Sequence, residues 1–373
     1  MGGSPMAITT ITLRDMAERM MRGETFSVLD VRSRNVFQNW MIKGRSLAAI
    51  DVPYYDFQAD EVNDQLLPTR TCVIFLTLHD ATAKKVADRL LEKGYEVTVL
   101  LDGYTAWDEF VIESTLLVNA QVKLVQFQRL ATGCLSYAFA SAHRVTVIDP
   151  IRFIEPYLAF AERENSKIEV VLDTHVHTDH ISGAKALLEV TRAEYLMVQR
   201  EVHQTDMRVT RLKRGTLRFG ALDARVITLD TEGNAAGHSL VVLDRFGIFT
   251  GDALMVGEVG IPDLPGVAQE WAEKTTNTIL RELQAYPDEM QIWPGHFADV
   301  QEVSKNGMIG TTLGQIRSGA RRLGVSNVLS FADHPRDFVS QLHPISDEIM
   351  RINTGQIALE AHDAKALERE IRL

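Results

Sequence analysis

Thr174-His175-Val176-His177-Thr178-Asp179-His180 is the stretch on which the reading of this chain turns. Three histidines and an aspartate fall between positions 175 and 180, directly after Ile168-Glu169-Val170-Val171-Leu172. That apolar run predicts a buried strand. Imidazole and carboxylate are the ligands that suit zinc, iron and other borderline divalent ions. Alternate residues at a strand end share a face, so His175 and His177 can point the same way. Asp179 and His180 then occupy the turn before a helix that opens near Ser182-Gly183. A histidine-rich polar loop is the bland alternative, and three further ligand candidates later in the chain argue against it. Gly237-His238-Ser239 comes after a polar loop, Gly251-Asp252 ends a strand, and Pro294-Gly295-His296 ends a short one. Each has a glycine beside the ligand, where backbone can turn tightly near an ion. Singly these are weak signals; four pieces in this order, each at a strand end, mark a metal site.

Composition sets the limits around that site. A chain of 373 residues exceeds one typical core, so two domains are expected. Hydrophobic residues at 45% and charged residues at 24% are ordinary for a soluble globular protein. A net charge of −11 argues against a broad nucleic-acid surface and against anionic membranes. No apolar run reaches the roughly twenty residues that cross a bilayer. Met1-Gly-Gly-Ser-Pro5 lacks the basic and apolar segments of a secretory leader and reads as an appended stretch before a start at Met6. Cys72 and Cys134 form no disulfide framework, so a cytoplasmic location is expected.

The first third alternates strands and helices. Phe26–Val31, Cys72–Leu76 and Tyr95–Leu101 read as strands, and about Ala81 to Lys93 as a helix, which predicts a parallel sheet covered by helices. Asp30-Val31-Arg32, Trp40-Met41-Ile42-Lys43-Gly44 and Leu101-Asp102-Gly103-Tyr104-Thr105-Ala106-Trp107 resemble the signatures of a rhodanese domain. The resemblance implies a nucleophilic cysteine at the end of the second of these strands, but Leu76 stands there. Cys72, at the opposite end of that strand, reads as a small core residue. The domain, placed at 6–115, is therefore expected to be catalytically inactive.

Glu113–Val122 reads as a connector to a β-rich second domain at 120–373. The series His-x-His-x-Asp-His, Gly-His-Ser, Gly-Asp and a late His is similar to the metallo-β-lactamase superfamily. That resemblance implies an α+β fold, an αββα sandwich with metal at one edge. All seven superfamily ligand positions are filled, by His175, His177, Asp179, His180, His238, Asp252 and His296. Such a set permits a two-metal thioester hydrolase of the glyoxalase II kind, with zinc and with Asp252 shared between the ions.

Phe249-Thr-Gly-Asp252-Ala-Leu254, Gly257-Glu-Val-Gly260-Ile261-Pro262-Asp263-Leu264, Met350-Arg351-Ile352-Asn353 and the rhodanese pairing resemble instead the persulfide dioxygenases. This second resemblance implies one Fe(II) per chain, held by His175, His238 and Asp252. His177, Asp179, His180 and His296 would then orient ligands and water. Two histidines and one carboxylate leave positions open for a substrate and O2. Many relatives carry arginine where Ile261 stands, so substrate contacts near it are expected to differ; Asp263 and Arg351 are the substrate-binding candidates. The function expected is oxidation of a low-molecular-weight thiol persulfide, such as glutathione persulfide, to sulfite. The hydrolase, with one or two zinc ions, is the alternative. A third is a sulfur-handling scaffold whose inactive rhodanese domain binds a partner. Beyond small molecules, the protein partner to expect is a second copy in a homodimer.

Overall fold

The computed structural model describes residues 8–34, 37, 47–58, 73–76, 80–101, 103–197, 207–229, 238–256, 278–279, 281–297, 307–322, 344–359, 364 and 367–368. The first sheet contains β1 (Thr9–Ile11), β2 (Phe26–Asp30), β3 (Leu47–Asp51), β4 (Val73–Leu76) and β5 (Val97–Leu100) in the order β1-β5-β4-β2-β3. Every pairing in it is parallel, as the alternating strands and helices require. Helix α1 (Leu13–Met21) buries Leu13, Met16, Ala17 and Met20, one stripe at helical spacing, and Thr12 caps it by accepting the Asp15 amide at 3.1 Å. Helices α2 (Tyr54–Gln58), α3 (Asp80–Glu92) and α4 (Gly103–Glu109) complete this unit. The Asp-Val-Arg signature is a buried ion pair: Arg32 folds back and donates from Nε to Asp30 Oδ1 at 2.9 Å.

Two further sheets face each other. The larger runs β12-β11-β10-β9-β8-β7-β6, built from β6 (Val111–Val118), β7 (Lys123–Arg129), β8 (Cys134–Ser141), β9 (Arg144–Ile148), β10 (Lys167–Asp173), β11 (Glu194–Met197) and β12 (Val209–Arg211). The other runs in sequence order through β13 (Gly215–Phe219), β14 (Leu222–Leu229), β15 (His238–Leu243), β16 (Gly247–Gly251), β17 (Gln291–Pro294) and β18 (Thr311–Thr312). Their inner faces interlock through aromatic rings. Phe139 stacks on Phe249 at 6.2 Å, and Tyr137 meets Phe249 edge-on at 5.0 Å. Helices α5 (Glu155–Arg163) and α6 (Ala184–Thr191) cover the outside of the larger sheet with Tyr157, Phe160 and Leu187. Ile279, Leu283 and Leu313, the last opening α7 (Leu313–Arg322), cover the other. Helix α8 (Pro344–Asn353) packs Ile345, Ile349 and Ile352 against Ile181. The result is the expected αββα sandwich behind a parallel α/β unit.

One expectation is corrected. Most of the expected connector, Glu113–Val122, lies in β6, the edge strand paired antiparallel with β7. Glu113, Ser114 and Thr115 dilute its apolar alternation, and Ser114 is satisfied by donating to the Gly307 carbonyl at 2.9 Å. Ile261 and Asp263 lie outside the described residues.

Candidate metal centre

The histidine loop leaves the end of β10 and is held from beneath by Asp149. That residue, at φ +50° and 2% exposed, accepts the Thr174 amide at 2.7 Å and its hydroxyl at 3.0 Å. The neighbouring sheet ties to the same point, because Ser239 donates its amide and its hydroxyl to the Thr174 carbonyl at 2.8 and 3.1 Å. His238 and His175 are thereby set face to face, their rings stacked 4.5 Å apart. Gly251 makes the next contact: at φ +50°, a Cβ there would sit 2.3 Å from Thr174 Oγ1. The strand end can therefore bring Asp252 against the loop, with Oδ2 3.4 Å from His175 Nε2.

His296 bridges two carboxylates. Its Nδ1 lies 2.6 Å from Asp252 Oδ1 and its Nε2 2.8 Å from Asp179 Oδ2. Asp179 Oδ1 is in turn 3.0 Å from His180 Nδ1. His177 turns the other way, with Nε2 at 3.5 Å from Asp149 and 3.6 Å from Asp173, both buried. Six of the seven ligand candidates are thus linked by contacts among themselves, while His177 reaches this group through its ring contacts with His175 and His180.

The charges are strongly coupled. Burial and the neighbouring His175 push His238 down to about 3, leaving the neutral imidazole that metals take. Burial opposes the charge on Asp252 and Asp179, but the adjacent histidines outweigh it and hold both carboxyls well below their usual range. For His180, burial is overcome by Cys134 and Asp179, which raise it to about 9. His177 is raised well above the ordinary imidazole value because Asp149 and Asp173 outweigh its burial.

The donor set fits a divalent cation. His180 Nε2 and His238 Nδ1 are buried without a hydrogen-bond partner, a costly state that an ion at the site would relieve. Asn353, on α8, is a site residue that the sequence reading passes over. It donates from Nδ2 to the His177 and His180 carbonyls, both at 2.9 Å, and its Oδ1 accepts the Ser182 amide at 2.9 Å. The Met-Arg-Ile-Asn motif is its signal, but Arg351, the residue favoured there, is exposed. Leu76 closes β4, where the rhodanese nucleophile is expected.

Two facing sheets with helices outside carry this histidine–carboxylate cluster, a candidate metal centre, at one rim. Comparison with known proteins names both units: residues 130–296 match the metallo-beta-lactamase superfamily and residues 12–110 the rhodanese-like domain. The chain carries a metallo-β-lactamase-superfamily domain behind a rhodanese-like one. It is similar to a hydroxyacylglutathione hydrolase of Cereibacter sphaeroides, 32% identical over 171 residues, which are 44% of this chain. The match spans 64% of that relative's length. Among solved structures, a metallo-beta-lactamase from Staphylococcus aureus shares the fold at TM-score 0.54 and 23% identity, over 64% of this chain and 74% of that one. ETHE1 from Myxococcus xanthus overlaps at TM-score 0.41 and 21% identity, over 70% of this chain and 98% of that one. No helix among the described residues is long and apolar enough to cross a membrane.

Proposed function

We propose that the sandwich domain is a non-haem iron dioxygenase that oxidises a low-molecular-weight thiol persulfide, such as glutathione persulfide. Each turnover would consume one O2 and one water and release sulfite and the thiol. The observation that carries this reading is the division of the histidine loop. His175 faces Asp252 and stacks on His238, while His177 turns into Asp149 and Asp173. Two imidazoles and one carboxylate suit a single Fe(II) with open positions. Bound there, iron would supply the redox chemistry between the persulfide and O2. The protein's own part is to hold the two reactants side by side and to keep His238 neutral. Leu76 in place of a nucleophile supports an inactive rhodanese-like domain.

A second reading, thioester hydrolysis with two zinc ions, is favoured by one contact pattern. Asp252 has one oxygen at His175 and the other at His296, as a shared ligand would. Protein purified without added metal should hold about one iron per chain, the number this three-ligand set serves. It should take up O2 when given glutathione persulfide. Cleavage of S-lactoylglutathione with no persulfide-dependent O2 uptake would overturn the dioxygenase and leave the hydrolase.

A further inference from the structure

One side chain, Arg129 at the end of β7, ties the rhodanese-like unit to the backbone around the candidate metal centre. Its guanidinium is wholly buried and lies 5.0 Å from the Phe153 ring. Toward the rhodanese-like unit, Nε donates to the Asp108 carbonyl at 2.8 Å and Nη2 to Asp108 Oδ1 at 2.9 Å. Helix α4 is thus gripped by a backbone and a side-chain oxygen at once. On the opposite side Nη1 lies 3.0 Å from Glu368 Oε2. A guanidinium is planar and holds its donors in a fixed fork, so Asp108 and Glu368 cannot shift independently without losing a contact.

Two routes run on from Arg129 toward the histidines. Glu368 Oε1 accepts the amide of Ile181, the residue after His180, at 3.0 Å. The Arg129 carbonyl accepts the Gly133 amide at 2.9 Å, closing a turn in which Thr132 Oγ1 accepts the Cys134 amide at 3.1 Å. That turn clasps His296 from both sides. The Leu135 amide donates to the Gly295 carbonyl at 2.7 Å and the Phe297 amide to the Gly133 carbonyl at 3.0 Å. So close an approach needs glycine at 133, where φ is +77° and a Cβ would meet the Phe297 carbonyl oxygen at 2.5 Å. A buried ion pair between domains ordinarily serves docking specificity at most. This one is continued by hydrogen bonds to the neighbours of two ligand candidates.

We propose that Asp108 of the rhodanese-like unit is a positioning residue for the metal centre: through Arg129 it fixes the backbone that carries His180 and His296. The proposal rests on the cluster holding a divalent cation, and it is the same whether that cation serves oxidation or hydrolysis. It gives the N-terminal unit a role that needs no nucleophile at Leu76. Such coupling is reciprocal: if α4 tunes the affinity for the ion, the ion must stabilise α4.

Hydrogen exchange of the full-length wild-type chain, metal-free and with zinc added, tests this without any variant. Zinc should slow exchange in residues 175–182 and also in α4 and residues 129–133. Protection of 175–182 with α4 unchanged would overturn the proposal and leave the metal reading standing. No zinc bound at all would overturn both. In Asp108→Asn, which keeps the shape and removes the charge, zinc affinity against a competing chelator should fall by roughly tenfold, the low end for a supporting group. The visible absorption of the cobalt(II)-loaded variant should shift as well. Wild-type affinity and spectrum in a folded but less stable Asp108→Asn would show that the residue only packs the domains together, and would overturn the proposal. Leu90→Ala opens a cavity in the rhodanese-like core away from Arg129 and should change neither readout. An equal effect there would mean general loosening, and the proposal would fall.

Discussion

His177 and His238 differ by what their nitrogens face, and that difference is testable one residue at a time. Nitrogens of both are buried without a hydrogen-bond partner, but His238 stacks on His175, whereas His177 Nε2 faces Asp149 and Asp173 at 3.5 and 3.6 Å. Losing a direct ligand should cost more than losing a group that steadies the loop. On the dioxygenase reading, His238→Ala should remove iron and O2 uptake together. His177→Ala should keep some of both, with a fall of roughly 10–100-fold. Iron content and persulfide-dependent O2 uptake, measured side by side, decide it. If His177→Ala is as damaging as His238→Ala, His177 is a ligand and the two-metal hydrolase gains.

At the scale of elements, the loop is held by a helix far away in sequence. Asn353, at the end of α8, makes three hydrogen bonds to residues 177–182 and is 6% exposed. Asn353→Ala would leave two carbonyls and an amide without their partner, each buried group costing about 1–3 kcal/mol. Metal affinity should fall by roughly 10–100-fold, as when a supporting contact is lost. Competition with a chelator would show it, and wild-type affinity in Asn353→Ala would mean that α8 only packs. The ligand candidates are legible in the sequence because each is a particular side chain beside a predicted strand end; strand patterning alone shows a β-rich domain, and the sandwich is legible only through the superfamily resemblance those letters carry. Asn353 is not: it reaches the loop from α8, a contact that leaves no local period in the sequence. β6 is hidden because its buried Ser114 is polar and finds its acceptor at Gly307.

At the scale of the molecule, the two domains share a buried box of four charges. Asp108, on α4 of the rhodanese-like unit, pairs with Arg129 of β7 at 2.9 Å, and Arg129 pairs with Glu368 at 3.0 Å. Arg152 closes the box, 3.0 Å from Glu368 and 3.6 Å from Asp108. Glu368 Oε1 also accepts the Ile181 amide at 3.0 Å, one residue beyond His180. The box is thus continuous from α4 to the histidine loop, and one apolar cluster contains Trp107 of α4 together with Ile112 and Leu124 of the larger sheet. Its net charge is zero, so removing one member leaves a charge buried and uncompensated. Glu368→Gln should therefore cost about 3–5 kcal/mol near neutral pH. Burial opposes ionisation of Glu368, but Arg129 and Arg152 outweigh it and hold the carboxyl below the ordinary value of 4.5. A carboxyl depressed on folding stabilises fully above its unfolded value and loses that contribution as pH falls through the folded one. The cost of Glu368→Gln should accordingly shrink as pH falls from 4.5 through the depressed folded value, below which both proteins carry a neutral side chain there. Urea unfolding of wild type and variant at neutral and acid pH measures the difference, and other titrating groups cancel between them. A cost near zero, as for an exposed pair, or one independent of pH, would show that the box does not hold the domains together through this charge.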